Sequence, residues 1–305
     1  MNFASGKNVL SKARREGYAI GAFNFQNMEI LQAIANAANK ERSPVLIQTS
    51  EGAIEYAGLD YLIAIARTAL ENSKVDIVLH LDHGQSFETA VKCIKAGYSS
   101  VMIDASKHDF EKNVRLTKRV ADYAHRKHVS VEGELGRLQG VEDLFSVSER
   151  DAILTNPEVA KEFADRTGID YLAVAIGTSH GPYKFRGRSK LDFNRLASIE
   201  RLVKIPLVLH GASSVYGDSV AIARRYGARL EGAHGVNDND LRKAIRLGVA
   251  KINTDTDLRI AFIGAARKAL TDKGLIDIRK VMEPVRESVE EIVRRKIRVF
   301  GSGKS

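Results

Sequence analysis

Val75-Asp76-Ile77-Val78-Leu79-His80-Leu81-Asp82-His83-Gly84 is the stretch on which both fold and chemistry turn. Its first five residues form a short apolar run behind the polar Glu71-Asn72-Ser73-Lys74, with the length and β-branched content of a buried parallel strand. An acid, an imidazole and a glycine follow, and Ser86 then opens a helix-like segment. A rigid strand that delivers polar side chains into a loop is a common place for chemistry. Simple capping of backbone groups is the competing reading of this stretch taken alone.

The same strand-then-helix unit repeats on either side. Residues 18–24 read as strand one, and Met28, Leu31, Ile34, Ala35 and Ala38 then recur at helical spacing. Residues 44–50 are strand two, followed by an apolar helix over 59–70; the helix after the third strand stops at Gly97. Strand four is predicted over 99–104 with a helix over 110–125, and strand five over 129–134. Residues 135–154 break the rhythm with Gly136, Gly140, Glu142 and Asp143, the pattern of a lid or a tolerated surface loop. Thr155-Asn156-Pro157-Glu158 restarts a helix with a capping-box pattern and an early proline. Strands six, seven and eight fall at 170–177, 205–210 and 249–253. Eight strands alternating with helices predict an α/β fold, a (β/α)8 TIM barrel in preference to a doubly wound sheet. We read residues 1–305 as one barrel domain with 270–305 as a C-terminal helical arm. The arm's apolar stripe of Val285, Val289, Ile292, Val293 and Phe300 docks either on the barrel or on another subunit.

The composition, 44% hydrophobic and 28% charged, is that of a globular chain able to bury a large core. A single cysteine, Cys93, excludes an internal disulfide framework and fits a reducing compartment. The N-terminal residues lack an apolar signal core and no run is long enough to cross a bilayer, so a cytoplasmic protein without a membrane partner is expected. The net charge of +9 and the cluster Arg294-Arg295-Lys296-Ile297-Arg298 raise the question of nucleic acid. No zinc-finger spacing or aromatic-and-basic motif accompanies them, so no nucleic-acid partner is expected. A solvated helix face, or a positive field favouring an anionic small substrate, accounts for the charge. Gly301-Ser302-Gly303-Lys304-Ser305 lacks the first glycine and the following helix of a P-loop.

Functional groups of a barrel lie where strands end and the following loops begin. Those positions hold Asn24, Ser50, Asp82, His83, Asp104, Glu134, His180, Gly181, His210, Gly211, Ser213, Asn253, Asp255 and Thr256. Histidines after strands three, six and seven would, if they converge, make a zinc site with open positions; singly, each is more simply a hydrogen-bonded structural residue. Gly181, Gly211-Ala212-Ser213 and Asn253-Thr254-Asp255-Thr256 offer backbone N–H groups and hydroxyls to a phosphate, though turns favour the same residue types.

Seven segments, in order along nearly the whole chain, carry a family resemblance. They are Gly21-Ala22-Phe23-Asn24, Leu81-Asp82-His83-Gly84, Ser100-Val101-Met102-Ile103-Asp104, Glu132-Gly133-Glu134-Leu135-Gly136, Ala175-Ile176-Gly177-Thr178-Ser179-His180-Gly181, Leu209-His210-Gly211-Ala212-Ser213 and Lys251-Ile252-Asn253-Thr254-Asp255-Thr256-Asp257. The chain resembles the class II, zinc-dependent fructose-1,6-bisphosphate aldolases, in the shorter bacterial subgroup that also includes tagatose-bisphosphate aldolases. It departs from that pattern at Ser214-Val215-Tyr216, where a proline is usual, which touches only local loop shape.

The resemblance implies reversible cleavage of fructose 1,6-bisphosphate to dihydroxyacetone phosphate and glyceraldehyde 3-phosphate through a zinc-stabilised enediolate. It implies that His83, His180 and His210 bind catalytic Zn2+, for which Co2+ can substitute, and that Asp82 is the proton donor. Asp104 and Glu134 match a second metal site of some members, and a monovalent cation is a further candidate cofactor. Gly181, Gly211, Ala212, Ser213, Asn253, Thr254, Asp255 and Thr256 match the dihydroxyacetone phosphate site, and Ser50 a contact to glyceraldehyde 3-phosphate. Glu142 matches an acid that moves a proton at the nascent carbanion. Arg279 matches an arginine reaching the far phosphate from a neighbouring subunit of a homodimer or homotetramer. On chemical grounds, Asn253 can also donate a hydrogen bond to developing oxyanion charge. Three alternatives remain open: tagatose-1,6-bisphosphate cleavage, a Schiff base on Lys251, and a non-catalytic metal- or sugar-phosphate-binding protein.

Overall fold

A computed structural model describes residues 2–136, 140–142, 145–147, 153–179, 181 and 191–303, with residues 140–142 and 145–147 described as backbone only. The strands are β1 (Ile20–Asn24), β2 (Val45–Thr49), β3 (Ile77–Gly84), β4 (Ser100–Ile103), β5 (Ser130–Leu135), β6 (Gly140–Glu142), β7 (Phe145–Val147), β8 (Tyr171–Val174), β9 (Leu207–Leu209) and β10 (Val249–Thr254). Eight of them close into a parallel barrel in the order β1-β10-β9-β8-β5-β4-β3-β2. This is the predicted (β/α)8 architecture with additional helices. β6 and β7 form a two-stranded antiparallel ribbon inside the insertion after β5.

Side chains alternate across each strand, so every second residue enters the barrel. The lower interior is apolar, built from Ile20, Ala22, Leu46, Val78, Tyr171, Ala173, Val208 and Ala250. The amphipathic helix Gly6–Glu16 closes this end with Val9, Leu10 and Ala13. Arg14 fastens the helix by donating to the carbonyls of Ile205 and Val203 at 2.5 and 3.0 Å. Above the apolar layer the interior becomes ionic, and above that it opens to the rim.

Two local details depart from the reading of the sequence. The helix Pro157–Thr167 takes Asn156 as its N-cap, whose side chain accepts from Glu158 and Val159. The Thr155 hydroxyl instead donates to the Leu135 carbonyl and accepts from the Ala175 N–H, tying the end of β5 to the chain beyond β8. An asparagine satisfies the helix terminus equally well, which releases the threonine for this bridge.

The C-terminal helix Ile278–Phe300 buries the predicted stripe: Val285, Val289, Ile292, Val293 and Phe300 are at most 6% exposed. It packs on the helices Met28–Lys40 and Thr256–Ala269 of the same chain. Glu41 pins its far end by accepting from Arg294 at 2.8 Å and from Arg298 at 2.7 Å.

Candidate metal-centred active site

The irregular end of β3 aims the two residues that alternation would separate. Between Leu81 and Gly84, β3 advances three residues while β4 advances two, from Val101 to Ile103. The extra residue is a β-bulge, and His83 accommodates it in the left-handed region at φ 48°. Gly84 follows because a Cβ there would meet the Met102 carbonyl oxygen at 2.6 Å. Its own carbonyl accepts the Asp104 N–H at 2.8 Å, joining the bulge to the end of β4. Asp82 and His83 thereby face the same point as His210, which follows β9. Their potential ligand atoms all lie within 4.8 Å of one another, as do those of His83, Asp104 and Glu134.

His83 and His210 are each oriented by an acid. His83 donates through Nδ1 to Asp104 Oδ2 at 2.9 Å, which leaves the lone pair on Nε2. Burial raises the Asp104 pKa, but the His83 contact and two donors from Ser106 outweigh it and hold it at about 2. His210 donates through Nε2 to Glu132 Oε1 at 2.7 Å. Its Nδ1 and Glu134 Oε2 are buried, 3.4 Å apart, and neither has a hydrogen-bond partner among the described residues. A lone pair and a carboxylate oxygen directed at one another are mutually repulsive unless a proton or a cation lies between them. These residues therefore fit a metal ion. Burial opposes protonation of His210, but the charges of Glu134 and Glu132 raise its pKa to about 9, so a metal held there would displace a proton at neutral pH.

Beneath the rim lies the ionic layer. Glu132 accepts from Lys251 Nζ at 2.7 Å, with both side chains fully buried. Burial disfavours the Glu132 charge, yet Lys251 and His210 hold it well below the usual carboxylate range. His80 is 3.3 Å from Lys251 and bonded through Nδ1 to Ser100 at 2.6 Å; burial and the adjacent lysine keep it neutral. A lysine ion-paired below the rim and wholly enclosed is not presented to a substrate carbonyl, so the Schiff-base reading of Lys251 loses its support.

Asp82 is gripped from both sides. Asn24 donates to Oδ2 and Asn253 to Oδ1, each at 2.9 Å, and Gln48 donates to Asn24 at 2.7 Å. Asn253 Oδ1 and Thr254 Oγ1 are buried without hydrogen-bond partners among the described residues. The loop after β9 comes close to Ser179: at Gly211, φ 58°, a Cβ would meet the Ser179 carbonyl oxygen at 2.6 Å. Gly181 is also left-handed, at φ 79°, and Ala212 and Ser213 are buried beside Gly211. Asp255 occupies the N-cap position of the helix Thr256–Ala269 and pairs with Arg259 at 2.8 Å.

Ser50 caps the helix Glu51–Ala57 and lines a rim cavity of about 190 Å³ together with Asn24, Gln26, Gly52, Ala53, Tyr56 and Arg259. Arg259, Gln48 and Glu132 are site residues absent from the list read from the sequence, which held Asn24 as a strand end without a role. Arg259 was legible as the residue one helical turn after Asp255, and Glu132 as the second inward position of a strand that also carries Glu134. Arg279 is not drawn into this cluster within one chain. Its side chain is 88% exposed, paired with Asp277 at 2.9 Å, and does not line the rim cavity. His180 and the side chain of Glu142 lie outside the described residues.

Imidazoles and carboxylates converging on the rim of a closed parallel barrel define a metal-assisted barrel enzyme. The family model for class-II fructose-bisphosphate aldolase matches residues 4–305. The fructose-bisphosphate aldolase of Thermus caldophilus is 51% identical over 299 residues, covering 98% of each chain. That of Helicobacter pylori strain 26695 is 49% identical over 299 residues, covering 97% of each. Among solved structures, the YdjI aldolase of Escherichia coli K12 superposes with a TM-score of 0.81 at 32% identity, covering 99% of this chain and 98% of that one. The chain belongs to the class II fructose-bisphosphate aldolase family, whose members are metal-dependent lyases.

Substituting Glu132→Gln removes the charge and leaves a single acceptor oxygen for two donors, Lys251 and His210. We expect metal affinity, measured by competition with a chelator, to fall by roughly 10- to 100-fold. Unchanged affinity in a folded variant would reduce Glu132 to a counter-ion for Lys251.

Proposed function

We propose that the chain reversibly cleaves fructose 1,6-bisphosphate to dihydroxyacetone phosphate and glyceraldehyde 3-phosphate, with zinc held by His83, His180 and His210. The observation that carries this reading is the convergence of Asp82, His83 and His210 on one point of the rim, in a chain of this family. Bound there, the metal would supply Lewis acidity toward the oxygens of the ketose. Asp104 and Glu134 are positioned to serve a second cation, with a monovalent ion as a further cofactor.

The side chains supply position and proton transfer. Asp82, with each oxygen fixed by one amide donor, is assigned the proton exchange with the C4 hydroxyl. Asn253 is assigned a second task, hydrogen bonding to oxyanion charge, and Glu142 the proton transfer at C3. Gly181, Gly211, Ala212, Ser213 and the run Asn253, Thr254, Asp255 and Thr256 are assigned to the phosphate of dihydroxyacetone phosphate. The buried, unpartnered Thr254 hydroxyl supports this assignment. Ser50 and Arg259 flank a cavity suited to the other phosphate. Arg279 is assigned to the same phosphate of a partner subunit, in a cytoplasmic homodimer or homotetramer. The exposed apolar Ile276 and Ile278 on either side of Asp277 support an oligomer contact there.

Chelation should abolish cleavage of fructose 1,6-bisphosphate, and zinc or cobalt should restore it; tagatose 1,6-bisphosphate assayed in parallel tests the choice of epimer. Activity persisting in a verified metal-free sample would remove the metal from the mechanism. Borohydride with dihydroxyacetone phosphate should leave the enzyme unmodified, since no imine forms. Asp82→Asn should keep metal binding while turnover falls by roughly 10²-fold or more; near-normal turnover would take Asp82 out of proton transfer. Mixed oligomers of Arg279→Ala and Asp82→Asn chains should regain activity above either parent. If subunits exchange and none is regained, the shared site is wrong.

A further inference from the structure

We propose that Lys296, on the C-terminal helix, is a positioning residue for the phosphate end of the substrate, acting through Asp257 on the loop after β9. The inference rests on the assignment of Gly211, Ala212 and Ser213 to the dihydroxyacetone phosphate site. Lys296 belongs by sequence to a basic cluster of solvated appearance, yet its side chain is fully buried. Its Nζ lies 2.8 Å from Asp257 Oδ2 and 2.7 Å from Ser214 Oγ, and it stands over the Tyr216 ring at 4.7 Å. The fixed positive charge thus sits where the last helix, the helix after β10 and the loop after β9 meet.

Asp257 is the link between them. Its Oδ2 accepts the Ser214 N–H at 2.8 Å and its Oδ1 the Val215 N–H at 2.6 Å. Val215 occupies the left-handed region at φ 51°, which a β-branched side chain rarely adopts. Something must hold the turn in that state, and the carboxylate does so with one oxygen on each of two successive amides. From the other side, Gly235 lies so close that a Cβ would meet the Ser213 carbonyl oxygen at 2.1 Å. The loop carrying Gly211 to Ser213 is therefore shaped by contacts immediately downstream of it. Asp257 also begins directly after Asn253 to Thr256, so the same carboxylate ties both phosphate-binding runs together. At 2% exposure it is paired with the equally buried Lys296 at 2.8 Å, so each group is the other's close partner in a site closed to water. The C-terminal arm in this way becomes part of the substrate site without touching substrate.

The test uses metal-loaded protein and two near-isosteric variants, Lys296→Met and Asp257→Asn, with their double. In the condensation direction, Lys296→Met should raise KM for dihydroxyacetone phosphate by about tenfold or more while KM for glyceraldehyde 3-phosphate stays within about twofold. Calorimetric titration with dihydroxyacetone phosphate should show the same loss, and chelator competition should show unchanged metal affinity. The double variant should be no more than about twofold worse than the weaker single, because one coupled unit has been broken twice. A folded Lys296→Met with unchanged affinity for dihydroxyacetone phosphate overturns the proposal, as does an equal rise in both KM values. If Lys296→Met does not fold, Asp257→Asn is judged by the same split. Failure of the aldolase reading shows separately, as wild-type enzyme that does not cleave the bisphosphate. Wild-type enzyme that binds no dihydroxyacetone phosphate overturns both.

Discussion

The carboxylate of Glu132 is the constraint around which the site is arranged. It sits inside the barrel with no solvent contact, shared between Lys251 below and His210 above. Enclosing such a charge costs several kcal/mol, and only two close partners of opposite or donor character offset it. That requirement decides the protonation of the neighbours. His80 is kept neutral by burial and by the adjacent Lys251, and His210 presents Nε2–H downward and Nδ1 toward the rim. A group that looks structural, buried in the middle of a barrel, thus sets which imidazole nitrogen is available for a metal. Removing one member of such a buried pair costs about 3–5 kcal/mol, so stability and metal affinity will move together in variants of this layer.

The second constraint is geometric. In a regular strand, consecutive residues point to opposite faces, and Asp82 and His83 could not both serve one site. The bulge resolves this by letting β3 gain one residue on β4, with His83 left-handed and Gly84 pressed against the backbone of β4. A single local irregularity thereby places a carboxyl and an imidazole side by side at one point of the rim. Histidine tolerates the left-handed region better than bulkier or branched residues.

Most of the architecture was legible because parallel strands buried on both faces read as short apolar runs, and eight such runs alternate with helical spacing. The family and the rim residues were legible because strand ends carry the polar exceptions to those runs. What escaped the sequence depended on partners distant in the chain. Nothing local says that Glu132 meets Lys251, or that Lys296 leaves its solvated-looking cluster to enter a core. The bulge was hidden for a related reason: Asp82-His83-Gly84 fits a regular strand end as well, and only the register against β4 distinguishes them. Thr155 illustrates a local rule outweighed, since two adjacent residues could cap the same helix and tertiary contacts chose between them.

The grip on Asp82 has a consequence for how the protein acquires activity. Asn24 comes from β1 and Asn253 from β10, the first and last strands of the barrel, which pair in the register Ile20 with Lys251. The Asp82 carboxyl, to which proton transfer is assigned above, is therefore held across the seam where the sheet meets itself. A partly assembled barrel, however much helix and sheet it contains, leaves Asp82 with at most one of its two donors. Pairings of such large sequence separation form late and slowly. Turnover in a refolding experiment is accordingly a reporter of ring closure and should lag the return of secondary structure. An open half-barrel ancestor or fragment would have no equivalent way to hold that acid.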